Sequence, residues 1–178
     1  TLHEPTSVDD AIALLVTHGD NAKVIAGGQS LTPMLALRLT RFDHLVDLAR
    51  IDALRRIKVE PDRVAIGAMV RQSVVGRDAS IAAVVPLLGR AIPCIGHLAI
   101  RNRGTIGGSL AHADPASEPP AVALALDATF TAIGPPGTRP TPAAALLPGP
   151  STTPPPPHQT PPHAPPPNPP RDPDPRPP

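Results

Sequence analysis

Lys23-Val24-Ile25-Ala26-Gly27-Gly28-Gln29-Ser30-Leu31 is the stretch on which the fold turns. Lys23 to Ala26 reads as a short buried strand. The glycine pair breaks it, and Ser30 reads as the cap of a short helix over residues 31–39, with Pro33 accommodated in its first turn. Gly104-Thr105-Ile106-Gly107-Gly108-Ser109 reads as a second glycine-rich loop, again with a glycine pair followed by a short hydroxyl residue. Glycine reaches positive φ without steric penalty, so successive N–H groups in such a loop can converge on an anion. A helix start beside them adds positive dipole. Two such loops in one small body suit a diphosphate held between them, with the serine hydroxyls as further donors. Taken singly, each loop is more simply a tight turn. Neither matches the Gly-x-Gly-x-x-Gly dinucleotide turn, and no Gly-Lys-Ser/Thr marks a P-loop.

Outward from these loops the chain alternates helix and strand. Ser7-Val8-Asp9-Asp10 opens a helix in the manner of a capping box, with Asp10 where Glu is usual. Ala11, Ile12, Leu14, Leu15 and Val16 supply its apolar content, and Gly19 ends it. His44–Leu48 reads as a strand, and residues 55–59 and 63–69 as a β-pair across the turn Glu60-Pro61-Asp62. Residues 80–92 read as one apolar helix, 121–126 as a helix and 128–133 as a strand. The expected class is an α+β or α/β mixture without internal repeats, with two subdomains meeting near residue 57.

Composition excludes several functions. The 178 residues carry 16 Lys+Arg and 15 Asp+Glu, a formal charge of +1, which gives no support for a nucleic-acid or anionic-membrane partner. The aromatics are just Phe42 and Phe130, too few for a base-stacking surface. A single cysteine, Cys94, excludes a disulfide framework, a cysteine zinc site and a self-contained iron–sulfur cluster. It sits in an apolar stretch and reads as a small core residue. No apolar run approaches the ~20 residues that span a bilayer, and no catalytic triad, carboxylate pair or histidine cluster stands out. The chain opens on Thr1 rather than Met and reads as a possible fragment.

Proline divides the chain. Of 29 prolines, 8 lie in residues 1–134 and 21 in the last 44 positions, in runs such as Pro154-Pro155-Pro156-Pro157. Proline lacks an N–H and fixes φ, so the segment from Pro135 reads as forming neither helix nor central strand. Residues 150–178 read as a disordered or polyproline II tail. Such a tail is either a Pro-rich docking segment or the product of a frame slip in a GC-rich gene, since most of its residue types have codons one base away from proline's.

With these residues in view, the chain resembles a family. Ala26-Gly27-Gly28-Gln29-Ser30-Leu31 followed by Leu37-Arg38-Leu39, Leu45-Val46-Asp47-Leu48 and Ile66-Gly67-Ala68 is similar to the FAD-binding medium subunit of molybdenum hydroxylases, the carbon monoxide dehydrogenase and xanthine dehydrogenase group. Ile100-Arg101-Asn102-Arg103-Gly104-Thr105-Ile106-Gly107-Gly108-Ser109-Leu110-Ala111-His112-Ala113-Asp114-Pro115 resembles that family's second flavin loop and its sequel. The resemblance runs in order along residues 1 to about 134.

It implies a PCMH-type (vanillyl-alcohol-oxidase-like) FAD-binding fold, with residues 1–57 and 58–149 as its two subdomains, the second incomplete. Ala26, Gly27, Gly28, Gln29, Ser30 and Leu31 would wrap the diphosphate. Thr105, Ile106, Gly107, Gly108 and Ser109 would approach from the second subdomain, and Asp114 would lie near the ribityl chain, whose hydroxyls suit a carboxylate. Asp114 reads otherwise as an Asp-Pro turn residue. His97 and His112 read as structural, and Arg101 and Arg103 as either phosphate neighbours or solvated and salt-bridged groups. The resemblance further implies an oxidoreductase subunit in the cytoplasm, with FAD as cofactor and no catalytic residue of its own. Electrons would come from 2Fe–2S clusters in a small partner and a molybdopterin site in a large one, and pass to NAD, oxygen or another acceptor. The family continues with a third region where this chain has its proline tail. Two rival readings remain: a truncated or misread chain that binds no flavin, and a Pro-rich interaction protein. If the tail is a frame slip, one of the gene's other two frames contains an apolar-periodic continuation; reading both frames checks this, and finding none rejects the slip.

Overall fold

The computed structural model describes residues 1–147. A two-residue strand, β1 (Leu2–His3), leads into α1 (Val8–His18). Ser7 caps α1: its Oγ accepts from the Asp10 N–H at 3.1 Å and donates to the Asp10 carboxylate at 2.7 Å. Gly19, at φ +50°, closes the helix. There follow β2 (Ala22–Ile25), α2 (Leu31–Ala36) and β3 (His44–Asp47). The three strands form a parallel sheet in the order β1-β3-β2, with Ala22 opposite His44 and Ile25 opposite Asp47. Parallel strands need a crossover, and α1 supplies the one between β1 and β2. Ala11 of α1 packs with Val46 and Ile51 in the core on this side, with Leu14, Leu15, Leu48 and Leu54 around them.

A hairpin, β4 (Ile57–Val59) and β5 (Val64–Ile66), turns at the predicted Glu60-Pro61-Asp62. The short helices α3 (Gln72–Val75), α4 (Ala79–Val84), α5 (Pro86–Ala91), α6 (Leu98–Arg103) and α7 (Ile106–His112) pack over it. Their core joins Val70, Val75, Ile81, Ile92, Ile95 and Ile106, with Ile57, Val64 and Ile66 packed against it. α8 (Glu118–Ala125) then leads to a second hairpin, β6 (Thr129–Gly134) with β7 (Gly137–Pro142), and to α9 (Ala143–Leu146).

Helix and strand are therefore mixed, as expected, with four departures in detail. The single helix expected over 80–92 is two, because Pro86 has no N–H to continue α4 and drives Val85 to ψ 71°. Residues 107–109 are the first turns of α7 rather than a loop, with Thr105 as N-cap. Cys94 is exposed, not a core residue. The stretch after Pro135 makes a short helix, α9, against the expectation of none, and an edge strand, β7, which the expectation of no central strand leaves open. Pro140 and Pro142 lie opposite Thr131 and Thr129, alternate positions on one edge of a two-stranded ladder. The Ala143 N–H bonds Ala128 at 2.8 Å, which puts both prolines in the phase that donates nothing to β6. The tail expected over 150–178 lies outside the described residues.

Ile81 is fully buried at the centre of the second cluster. Ile81→Ala should cost about 2–5 kcal/mol, read as a lowered urea midpoint at unchanged slope.

Candidate functional site

β2 ends at Ile25, and the chain must leave the sheet there because Gly28 takes φ +71°. The Gly28 carbonyl accepts the Thr32 N–H at 3.0 Å, and Gln29 Nε2 donates back to the Gly27 carbonyl at 3.1 Å, so the loop is held by its own residues. Its backbone donors face elsewhere. Among the described residues, the N–H groups of Gly27, Gly28, Gln29 and Ser30 reach no backbone or side-chain acceptor. Ser30 is exposed, and although it precedes α2 its hydroxyl does not cap it, contrary to the expectation from sequence. Successive N–H groups without an internal partner around a positive-φ glycine are what an anion-binding loop requires.

The second glycine stretch lies against the first. A Cβ on Gly27 would stand 2.8 Å from Gly104 Cα and closer still to the Arg103 carbonyl, and one on Gly108 would lie 3.4 Å from Ala26 Cβ. Its donors, however, are committed. The Ile106 N–H bonds Val70 at 3.0 Å, Gly107 bonds Ala68 at 2.9 Å, Gly108 bonds the Thr105 hydroxyl at 3.1 Å and Ser109 bonds the Thr105 carbonyl at 3.2 Å. Thr105 is buried by this role. A Cβ on Gly107 would stand 2.7 Å from Ala68 Cα, so this glycine exists to let α7 sit on the chain leaving β5. The Ser109 hydroxyl shares a 2.8 Å bond with Ser117. The first stretch is thus a set of open donors, and the second is a wall that fixes its position.

Charge gathers at the junction. Arg71 donates to the Arg103 carbonyl, and an isolated bridge pairs Arg71 with Thr105. Desolvation, then Arg55 and Arg103, lower the Arg71 pKa, with Asp47 opposing; a guanidinium nonetheless stays charged at neutral pH. Arg101 has a different task, since its guanidinium donates to the carbonyls of Pro93, Ile95 and Gly96, at 2.7 Å in the case of Ile95, and locks the approach to α6. Asp114 follows α7, at the opposite end of that helix from Thr105, and its Oδ1 accepts the Ala116 N–H at 2.9 Å in an Asx turn. No hydrogen bond joins it to either glycine stretch among the described residues. Leu31 is half-buried in the first turn of α2, His112 is half-buried and His97 is exposed.

Two clefts of the molecule lie elsewhere, one between Leu15, Asp20, Lys23 and Phe42 and one beside His3 and Asp10. The fold also makes a cluster that no local motif announces: His3, His18 and His44, from β1, α1 and β3, with His3 Nε2 2.9 Å from His44 Nδ1.

Comparison with known proteins bears on this geometry. Residues 1–160 match the family model described as the FAD binding domain in molybdopterin dehydrogenase. The chain is 48% identical over 141 residues to the 6-hydroxypseudooxynicotine dehydrogenase complex subunit alpha of Paenarthrobacter nicotinovorans, covering 79% of this chain and 48% of that one. It is 43% identical over 147 residues to the carbon monoxide dehydrogenase medium chain of Hydrogenophaga pseudoflava, covering 83% and 51%. The fold superposes on the structure of carbon monoxide dehydrogenase from Hydrogenophaga pseudoflava with a TM-score of 0.83 at 43% identity, covering 85% of this chain and 53% of that one. Quinoline 2-oxidoreductase from Pseudomonas putida 86 gives 0.83 at 37% identity, covering 86% and 53%. The chain spans about half the length of the curated relatives it matches.

Gly27→Ala and Gly107→Ala push a methyl into backbone and should each cost about 1–3 kcal/mol. Gly134→Ala meets only the Pro136 side chain at 3.8 Å and should stay within about 0.5 kcal/mol. Urea unfolding of the three variants separates them.

Proposed function

This chain belongs to the family of FAD-binding domains in molybdopterin dehydrogenases, and on that premise we propose that it is the flavin-holding part of an electron-transfer subunit in a molybdenum hydroxylase. The observation that carries the proposal is the run of free N–H groups from Gly27 to Ser30, seated beside the Arg71–Arg103 junction. Open donors and fixed positive charge together suit the diphosphate of a dinucleotide. The donor set fits FAD in kind: amides and a hydroxyl for phosphate oxygens, and a carboxylate for sugar hydroxyls.

In this reading the fold is a PCMH-type clamp whose two halves are residues 1–57 and 58–149. Ala26, Gly27, Gly28, Gln29, Ser30 and Leu31 hold the diphosphate from the first half. Thr105, Ile106, Gly107, Gly108 and Ser109 form the facing wall, and Thr105 keeps α7 in place by capping Gly108. Asp114 uses one carboxylate oxygen for its own turn and offers the other to the ribityl chain. Bound FAD supplies the redox chemistry, receiving electrons and passing them on. The chain's own residues bind and orient; none acts as acid, base or nucleophile.

The electron source would be a small 2Fe–2S subunit fed by a large molybdopterin-containing subunit, a division that suits a chain with a single cysteine. NAD or oxygen would serve as acceptor. Among the described residues no helix is long and apolar enough to cross a membrane, and we place the assembly in the cytoplasm.

Ser30→Ala combined with Asp114→Asn tests the reading, because neither change removes a hydrogen bond that the fold uses. The purified chain should retain FAD absorbance after desalting, and the double variant should bind at least about tenfold more weakly with unchanged circular dichroism. Equal FAD affinity in both proteins rejects this placement of the cofactor.

A further inference from the structure

The three histidines gathered at the start of the sheet are unused by flavin binding, and the fold explains why they meet. Along β3, His44 and Val46 share one face. Register places His3 opposite Val46, so His3 joins them on the face that α1 covers. A crossover helix runs back along the sheet, so the end of α1 comes to lie over the start of β3 and delivers His18 there. The rings stack: His18 and His44 centroids are 3.7 Å apart with 10° between planes, and His3 lies 5.2 Å from each. One ligating nitrogen from each ring falls within 4.8 Å of the other two, and all three residues are partly exposed, so an ion has access.

We propose that His3, His18 and His44 form a binding site for a divalent transition-metal ion of the zinc class. Three imidazoles with no thiolate suit zinc, cobalt, nickel or copper(II) rather than magnesium or calcium, which require oxygen ligands. A tetrahedral ion with metal–nitrogen bonds near 2.0–2.1 Å needs its ligand nitrogens roughly 3.4 Å apart; the His3 and His44 nitrogens stand at 2.9 Å, and all three lie within 4.8 Å of one another. Stacked rings aim their in-plane lone pairs side by side, so binding requires the His18 ring to turn about its side-chain bonds. His18 can do so from the last turn of α1, while His3 and His44 are fixed to adjacent strands. The same last turn presents the negative end of the helix dipole, which favours a cation. Desolvation, then the His18 and His3 rings and the Thr1 amine, lower the His44 pKa from its ordinary value, with Asp43 opposing. Three ligands leave at least one position for water or a carboxylate, and Glu4 and Asp10 line the cleft beside His3.

The site is separate from the flavin site. β3 advances from His44 to Asp47 before it reaches the level of the glycine break, a run of about 10 Å. An ion here would tie together the two-residue strand β1, the end of α1 and the start of β3, which makes it a staple for the first half of the fold.

The test uses the full chain without an affinity tag, freed of metal and titrated with cobalt(II), with zinc(II) in competition. One equivalent of cobalt should bind with visible d–d bands, and zinc should displace it. His3→Gln, His18→Gln and His44→Gln should each weaken binding at least about tenfold, while His97→Gln and His112→Gln leave it unchanged. Unchanged affinity in all three cluster variants overturns the proposal, as does the absence of stoichiometric uptake by the parent chain. If the variants fail to fold, X-ray absorption of the zinc-loaded parent decides: scattering from three imidazoles supports the site, and scattering from fewer than two overturns it.

Discussion

The close approach of Gly27 to the Arg103–Gly104 peptide is the contact on which the rest of the arrangement depends. A side chain at Gly27 would keep the two backbones apart, since even a methyl there would overlap Gly104 Cα at 2.8 Å. Because they touch, the free donors of residues 27–30 sit beside the guanidinium of Arg71, which is itself tied to the Arg103 carbonyl. Gly107 has the same role further out, letting α7 rest on Ala68. On the proposed function, binding geometry and fold stability are coupled at these positions, and substitutions there test both at once.

The two glycine pairs look alike in sequence and differ in what they do. A glycine-rich stretch becomes an anion receptor only where its N–H groups lack an internal acceptor. Residues 27–30 follow a strand end with no hydrogen-bonded neighbour beyond it, whereas residues 106–109 are consumed by the β5 exit and by the Thr105 cap. Local sequence cannot register that difference, because the acceptors Val70 and Ala68 are more than thirty residues away from the donors they receive.

The same distinction between local and distant causes separates what was legible from what was not. The start of α1 could be read because Ser7 and Asp10 cap it from within the same turn. β2, β3 and the β4–β5 hairpin could be read because a short apolar run and a Pro-Asp turn are local signals. The break at Pro86 was equally local, yet the uniform apolarity of residues 80–92 masked it. β7 was hidden because proline content argues against a strand unless its phase in the ladder is known, and that phase is set by β6. The histidine cluster was invisible for a stronger reason: His3, His18 and His44 have no spacing in common, and only the parallel register and the helix crossover bring them together.

The proposed placement of the cofactor has a physical consequence. On the proposed placement, residues 27–30 and their facing wall would satisfy the charged centre of a dinucleotide, which is the portion that needs specific donors. The flat ring at the other end needs apolar cover and exclusion of water. Affinity from the diphosphate and control of the ring's reactivity are thus separable properties, and on the proposed placement the first would rest on this chain's backbone. A flavin held by the diphosphate alone would be reduced and reoxidised in contact with solvent, where oxygen competes with any intended acceptor. On the proposed placement, whatever covers the ring would determine where the electrons go, while Gly27 to Ser30 would determine only that the cofactor is held.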